Sequence, residues 1–143
     1  MKLNIIAIGS LNKEYQNLYD SYLKKISFFA SINLVQIKEI KNTNIDLKIE
    51  KETKLILKKI PKNSKVYYLS LSGKKVNSIQ FSNLIDEDNI TFIIGGSNGV
   101  DEKYFNNKIS FSDLTFPHQL FRVMLVEQIY RSFTIKNNIE YHK

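Results

Sequence analysis

The stretch Thr91-Phe92-Ile93-Ile94-Gly95-Gly96-Ser97-Asn98-Gly99 contains an apolar run that stops at two consecutive glycines. A short apolar run without polar alternation is typical of a strand buried on both faces of a parallel sheet. Glycine lets a ligand approach the backbone closely, so the turn after this strand is a candidate binding loop. Its spacing matches neither GxGxxG nor GxxxxGK[ST], and taken alone it favours a plain tight turn over a binding loop.

Strand-like and helix-like patterns alternate along the rest of the chain. The predicted strands are Lys2–Ile8, Ile32–Ile40, Val66–Leu71, Asn89–Ile94 and Ile109–Ser112. The predicted helices are Glu14–Ser27, Asp46–Ile60, Ser78–Ile85, a helical turn at Asp101–Phe105, and Pro117 to about Asn137. We interpret Ser72-Gly73-Lys74-Lys75 as a turn and Ser78 as the cap of the short helix. The alternation predicts one α/β domain over residues 1–143, with a mostly parallel sheet flanked by helices.

Turn residues follow several of the predicted strands. In parallel α/β sheets, ligands bind beyond the carboxyl ends of the strands. Three such ends carry turn residues in this chain: Gly73, Gly95-Gly96 and Ser112-Asp113. We therefore expect them to converge on one pocket. The last of these turns leads into the final helix, where Pro117 suits the first helical position and Asp113 or Thr115 can cap free N–H groups.

Two basic side chains near the start of the final helix are candidates for that pocket. Arg122 can aim its guanidinium at the strand ends, or it can form a structural ion pair with Glu127 or Asp113. His118 can serve the pocket or bond a backbone carbonyl. No Ser-His-Asp or paired-carboxylate arrangement is evident, and two histidines without cysteine argue against a catalytic zinc.

The net charge of +7 favours an anionic partner such as nucleic acid. Nineteen of the 21 basic residues are Lys, and Asn and Ile are also abundant, so an AT-rich genome is a competing explanation. The second helix carries Lys residues that can touch phosphate or simply form a solvated face: Lys48, Lys51, Lys54, Lys58 and Lys59. No long apolar run or signal-peptide pattern is present, which predicts a soluble cytoplasmic protein without membrane or metal partners.

The final helix is apolar around most of its circumference. Such a helix must be buried on more than one side. In a small domain, one side faces the sheet and another faces a second subunit, which predicts a two-fold homodimer through this helix. The apolar positions are Leu120, Phe121, Val123, Met124, Leu125, Val126, Ile129, Tyr130 and Phe133.

Four segments together resemble the RlmH family, the small stand-alone SPOUT-class methyltransferases of the large ribosomal subunit. The opening Met1-Lys2-Leu3…Gly9 and the length match as well, so the resemblance covers the whole chain. The four segments, in order, are Ile93-Ile94-Gly95-Gly96-x-x-Gly99, Leu114-Thr115-Phe116-Pro117-His118-Gln119-Leu120-x-Arg122-Val123, Glu127-Gln128-Ile129-Tyr130-Arg131 and Tyr141-His142-Lys143.

The resemblance implies a SPOUT-type α/β knot, in which the C-terminal part of the chain threads through a loop as a trefoil. It implies S-adenosylmethionine as cofactor and, as substrate, N3 of a pseudouridine in 23S rRNA of the assembled ribosome. The cofactor contacts carried over are Leu69, Gly95, Phe111, Ser112, Asp113, Leu114, Thr115 and Phe116. Where the family often has Leu-Asp-x-x-Gly-Lys, this chain has Ser70 in place of the acid, so no carboxylate role is assigned there.

The polar tail after the final helix suggests how the site is completed. We expect the tail of one subunit to reach its partner's pocket, where Tyr141 and His142 bind the base or accept its proton. Arg122 would hold the base or a phosphate, with His118 nearby. Two alternatives stay open: a non-enzymatic ribosome- or RNA-binding module on the same fold, and a tRNA-directed SPOUT methyltransferase. The latter usually carries an additional RNA-binding domain, for which this chain has no room.

Overall fold

The structure, a computed structural model, describes residues 1–143 and is built on a five-stranded sheet in which every strand pair is parallel. The strand order is β2-β1-β4-β3-β5. The strands are β1 (Lys2–Ile8), β2 (Ser31–Ile37), β3 (Lys65–Lys75), β4 (Asn89–Ile94) and β5 (Lys108–Ser110). The predicted α/β class and parallel sheet are confirmed.

Helices cover both faces of the sheet. They are α1 (Lys13–Ile26), α2 (Ile45–Lys59), α3 (Ser78–Leu84) and α4 (His118–Lys136), with a 3-10 turn at Glu102–Tyr104. α4 packs against α1 and α3 on one face, and α2 packs against β1 and β2 on the other. The predicted helices are present, mostly with ends shifted by one residue.

The middle of the sheet is buried on both sides, as predicted for the run that precedes the two glycines. Phe92 of β4 packs in the core beneath α1, α3 and α4, and Ile93 packs in the core beneath α2. The Phe92 ring lies 5.8 Å from Tyr67 and 5.5 Å from Phe81, measured between centroids. Burying a side chain of this size contributes about 1.5–3 kcal/mol. β4 is thereby anchored, and the glycine turn begins at a fixed place.

The third strand is longer than predicted, and the interpretation of Ser72-Gly73-Lys74-Lys75 as a turn is wrong. β3 pairs with β5 twice, because Leu69 and Lys74 both align with Ile109. A strand residue has two edges, so the two ends of β3 lie on opposite edges of β5. The residues between them cross over β5. Gly73 is needed there: a Cβ on it would lie 2.6 Å from the backbone N and C of Ile109.

Two predicted helix caps are also wrong. Asn77, not Ser78, caps α3, because its side chain accepts the Gln80 N–H while the Gln80 side chain accepts the Asn77 N–H. The Ser78 hydroxyl instead bonds Gln128 of α4 at 2.8 Å. At α4, Pro117 is the cap position and no side chain caps the helix, so neither Asp113 nor Thr115 has that role.

In a knotted chain, one segment must lie over another so that the chain can pass beneath it. The crossing of β3 over β5 is such a segment. The segment that follows β5 leads through the loop 111–117 into α4. The trefoil knot itself stays a prediction.

We predict that Gly73→Ala destabilises the fold, because the new methyl group meets backbone atoms that cannot move aside independently. The expected loss in free energy of unfolding is about 1–3 kcal/mol, measured by urea unfolding. Leu71→Ala is the control, since this neighbour in the crossing segment is 64% exposed and should change stability by less than about 0.5 kcal/mol. Equal stability of Gly73→Ala and the parent would contradict the crossing.

Candidate functional site

Residues 68–72 of β3 and the carboxyl ends of β4 and β5 surround a cavity of about 610 Å³. This volume lies within the roughly 300–1,000 Å³ of small-molecule sites. Two of the three predicted turns converge there, through Gly95-Gly96 and Ser112. Gly73 does not line the cavity, and β3 contributes residues 68–72 instead. All the predicted cofactor residues except Asp113 line the cavity: Leu69, Gly95, Phe111, Ser112, Leu114, Thr115 and Phe116. Which of them a ligand touches stays a prediction.

Four predicted site residues do not line the cavity. The Asp113 carboxylate is directed to Lys75, with the Lys75 Nζ at 2.7 Å, and the side chain is 80% exposed. Arg122, Tyr141 and His142 are absent from the wall as well. His118 is the one predicted catalytic residue that the fold places there.

The glycine turn both closes tightly and forms part of the wall. The Gly99 N–H donates to the Gly96 carbonyl at 3.0 Å, and Gly99 has a φ of 77°, which favours glycine. A Cβ on Gly95 would lie 3.0 Å from Val100 and 3.3 Å from the Tyr68 hydroxyl. The interpretation as a tight turn is confirmed, and binding of a ligand by this turn stays a prediction.

Lys48 of α2 fixes the same turn from behind. Its ammonium donates to Ser97 Oγ at 3.2 Å and to Asn98 Oδ1 at 2.8 Å, and it pairs with Glu39 at 2.7 Å. Its side chain is only 9% exposed. Lys48 is thus a positioning residue. The interpretation in which the Lys residues of this helix touch phosphate is wrong for Lys48, because its ammonium is already occupied.

His118 joins the start of α4 to the end of β4. Its Nε2 lies 2.9 Å from the Gly95 carbonyl oxygen. Because a carbonyl only accepts, Nε2 carries the proton in this bond. Burial, and secondly the charge of Arg122, lower the pKa of His118. The ring is therefore neutral at pH 7 and acts as a hydrogen-bond donor to the backbone that lines the cavity.

Arg122 is buried rather than directed at the cavity. It donates to the Gly9 carbonyl at 3.0 Å and to Gln36 Oε1 at 3.2 Å, and its guanidinium lies 5.4 Å from the centre of the Tyr19 ring. These contacts hold α4 to the ends of β1 and β2 and to α1.

The alternative ion pair of Arg122 with Glu127 or Asp113 is wrong, because Glu127 pairs with Arg131 and Asp113 with Lys75. A contact of Arg122 with substrate stays a prediction.

The tail folds onto the middle of α4. The Tyr141 hydroxyl donates to Glu127 Oε1 at 3.0 Å, and Arg131 donates from Nη1 to His142 Nδ1 at 3.2 Å. Arg131 and Glu127 also pair with each other at 2.5 Å. Burial and the bond to Glu127 raise the pKa of Tyr141 to about 12. These hydrogen bonds join four side chains into one group, which we call the tail cluster: Glu127, Arg131, Tyr141 and His142.

Two cavity residues were not singled out from the sequence. Tyr68 lies behind Gly95, and burial, with the nearby charge of Glu102 second, raises its pKa to about 12, so the phenol stays protonated. Glu102 comes from the 3-10 turn and bonds Ser70 and Ser72 of the crossing segment. The pattern predicted the helical turn, but an isolated acid after a glycine turn gives no signal of a site. The contact depends on the crossing, which the pattern did not show.

The comparisons with known proteins agree with this geometry. Residues 1–142 match the family described as "Predicted SPOUT methyltransferase".

The chain belongs to the SPOUT methyltransferase family.

Over full length on both sides, the chain is 71% identical to a Metamycoplasma arthritidis protein and 69% identical to a Mycoplasma mobile protein. Both are named "Ribosomal RNA large subunit methyltransferase H". The resemblance to the RlmH family is thus confirmed.

A solved structure shares the fold at low sequence identity. It is a Bacillus anthracis "putative RNA methyltransferase", 11% identical, with a TM-score of 0.59 over 91% of this chain and 93% of that one. No helix of this SPOUT family member is long and apolar enough to cross a membrane. No three His, Asp or Glu side chains are grouped so that they could hold a metal ion.

We predict that His118 makes folding stability depend on pH with a defined sign. The unfolded chain binds a proton on this ring near pH 6.5, and the folded chain binds it only at lower pH. Between these values the unfolded state holds more protons, so this contribution to stability is lost as the pH falls below about 6.5. His118→Gln keeps an N–H donor but cannot titrate, so it should lack this loss.

The measurement is urea unfolding of both proteins between about pH 5 and 7.5, with the difference between the two curves as the readout. Titration of the His118 ring by NMR gives the pKa directly. Parallel stability curves, or a ring that titrates above its usual range, would contradict the prediction.

Proposed function

We propose that this protein uses S-adenosylmethionine to methylate N3 of a pseudouridine in 23S rRNA of the assembled ribosome. Its identity of 71% over full length with a protein named as a large-subunit rRNA methyltransferase carries the proposal. The cavity supports it independently, because it lies where parallel α/β sheets bind small molecules. The single domain over residues 1–143 belongs to the same proposal.

The walls of the cavity fit the proposed cofactor. Phe111 and Phe116 both pack on Phe121, with ring centroids at 5.2 and 6.2 Å, and provide an apolar surface suited to an adenine ring. Leu71 and Leu114 at the rim are 64% and 67% exposed, so their apolar side chains are free to cover a ligand. When bound, the cofactor supplies a methyl group activated by a sulfonium charge.

The chain's own contribution is to position the reactants. In-line displacement needs the attacking nitrogen and the methyl group held at near-contact distance, and such positioning accounts for a large part of enzymatic rate enhancement. The donor bond from His118 to Gly95 and the bonds from Lys48 to Ser97 and Asn98 make the glycine turn a rigid wall. A rigid wall keeps a bound cofactor from losing its alignment.

The proposed homodimer has a candidate surface beside α4. A groove of about 500 Å³ runs between α1, α3 and α4 and contains Leu18, Tyr22 and Met124. Leu18 of the amphipathic helix α1 is apolar, yet its side chain is 47% exposed. Glu127 of the tail cluster lines the same groove. A second subunit seated on the groove would therefore meet the tail.

The tail cluster favours binding of the base over removal of its proton. With a pKa of about 12, Tyr141 stays protonated at pH 7 and is a hydrogen-bond donor. An arginine side chain has no acceptor, so Nδ1 of His142 accepts from Arg131 and is occupied. The Tyr141 proton is already donated to Glu127, so only its oxygen is left, as an acceptor. His142 presents its Nε2–H, a donor that suits a carbonyl oxygen of a pyrimidine base.

We predict that the protein methylates ribosomes isolated from a strain that lacks this modification, read by mass spectrometry of 23S rRNA fragments. Deletion of Tyr141–Lys143 should abolish methylation, because the proposed base contacts are lost. Calorimetric binding of S-adenosylmethionine should change little, because no tail residue lines the cavity. Contacts from Lys to phosphate should make ribosome binding weaken steeply with salt.

Three outcomes separate the alternatives. If the parent protein does not bind S-adenosylmethionine, the protein is a binding module and the proposal fails. If it methylates transfer RNA and not ribosomes, the substrate assignment fails. If the deletion variant turns over as fast as the parent, the tail has no part in the reaction.

We predict that the protein sediments as a dimer of the 16.7 kDa chain and that Met124→Glu converts it to a monomer. The substitution places a charge in the apolar groove, where pairing would bury it without a partner. Leu47→Glu is the matched control, since this apolar residue lies on α2 at the opposite face and should leave the dimer intact. A monomeric parent, or a dimeric Met124→Glu, would contradict the assignment of the interface.

A further inference from the structure

The cavity wall contains one acidic side chain and no Lys or Arg, although the protein as a whole is strongly basic. That side chain is Glu102. The other titratable groups in the wall are Tyr68, whose phenol stays protonated, and His118, whose ring is neutral. The remaining polar groups of the wall are hydroxyls, one amide and the backbone. The cavity therefore has a net negative charge.

The Glu102 carboxylate is held in place but is not neutralised. It accepts hydrogen bonds from the Ser70 hydroxyl and, at 3.2 and 3.3 Å, from the Ser72 hydroxyl. It takes part in none of the ion pairs of the structure. The side chain is partly buried, so water screens its charge incompletely. A fixed, unpaired carboxylate at the wall of a cavity favours a cationic ligand.

The proposed methyl donor and its product differ in one charge. S-adenosylmethionine carries a sulfonium, an ammonium and a carboxylate, and so one net positive charge. Transfer of the methyl group leaves a neutral thioether, and the product has no net charge. A fixed carboxylate attracts the net positive charge of the donor and has no comparable attraction for the uncharged product, so it can select between the two.

We infer that Glu102 is the residue by which this cavity prefers the cationic methyl donor over the uncharged thioether product. The inference rests on the proposed function. Its consequence is that the product binds more weakly and leaves the site open to the next donor. The crossing of β3 over β5 is part of this arrangement, because it supplies the two serine hydroxyls that fix the carboxylate.

Glu102 brings an acid to the part of β3 that contains Ser70. No acid is present at Ser70 itself, but the Ser70 hydroxyl bonds the Glu102 carboxylate directly. The 3-10 turn thus delivers a negative charge to the end of β3 from elsewhere in the chain. An acid at either of these two positions would place its charge at the same edge of the cavity.

The test measures binding of S-adenosylmethionine and of S-adenosylhomocysteine separately, by calorimetry on the full-length protein. Glu102→Gln keeps the size and hydrogen bonding of the side chain but removes the charge. It should weaken binding of the donor about tenfold and binding of the product less than about twofold. In the parent protein, added salt should weaken binding of the donor more than binding of the product.

Two further variants sharpen the test. Glu87→Gln changes the net charge equally at an exposed position before β4, at the opposite end of the sheet from the cavity, and should leave both affinities unchanged. Ser70→Asp combined with Glu102→Gln should restore the preference for the donor. Equal losses for both ligands in Glu102→Gln, equal salt dependence of the two in the parent, or no recovery in the double variant would overturn the inference. A parent protein that binds neither ligand would instead overturn the proposed function.

Discussion

The contact between Gly73 and the backbone of Ile109 is the constraint on which the cavity depends. It lets β3 pair with both edges of β5, and this holds the residues of the crossing segment above the cavity. The loop after β5, which forms another wall, begins directly beneath the crossing. A side chain at Gly73 would separate the two strands, and the walls on either side of the cavity would lose their common support. A single missing Cβ is thus a condition for the whole site.

The second constraint is electrostatic, since a chain with a net charge of +7 encloses a cavity whose wall contains one acidic side chain and no Lys or Arg. Two cationic side chains, Lys48 and Arg122, lie close to the cavity. Neither is directed into it, because both are hydrogen-bonded to other groups. Lys48 bonds Glu39 and the far side of the glycine turn, and Arg122 bonds Gly9 and Gln36. A cavity for a cationic cofactor and a basic surface for nucleic acid can therefore coexist in a small protein, because buried cations are turned away from the wall.

Local pattern predicted the strands, the helices and the convergence of the strand ends, because periodicity and the edges of parallel sheets are local or generic properties. It did not predict the crossing, since Ser72-Gly73-Lys74-Lys75 has the composition of an ordinary turn and its pairing with β5 is between residues far apart in sequence. Glu102 was missed for the same reason. The orientation of Arg122 was also beyond reach, because it depends on how α1 and β2 pack around the helix start.

The geometry of α4 bears on which subunit's tail would complete which site. His118 at its first residue contacts the cavity wall, and Glu127, nine residues later, holds the tail. At 1.5 Å per residue, the two contacts lie about 14 Å apart along the helix axis. A hydrogen bond spans only about 3 Å, so the tail as it is folded here does not reach its own cavity. In the proposed two-fold dimer built on the groove beside α4, each tail would lie next to the other subunit, because Glu127 of the tail cluster lines that groove. This distance is consistent with the proposal that the partner's tail completes each site, because the chain's own tail lies too far along the helix to do so.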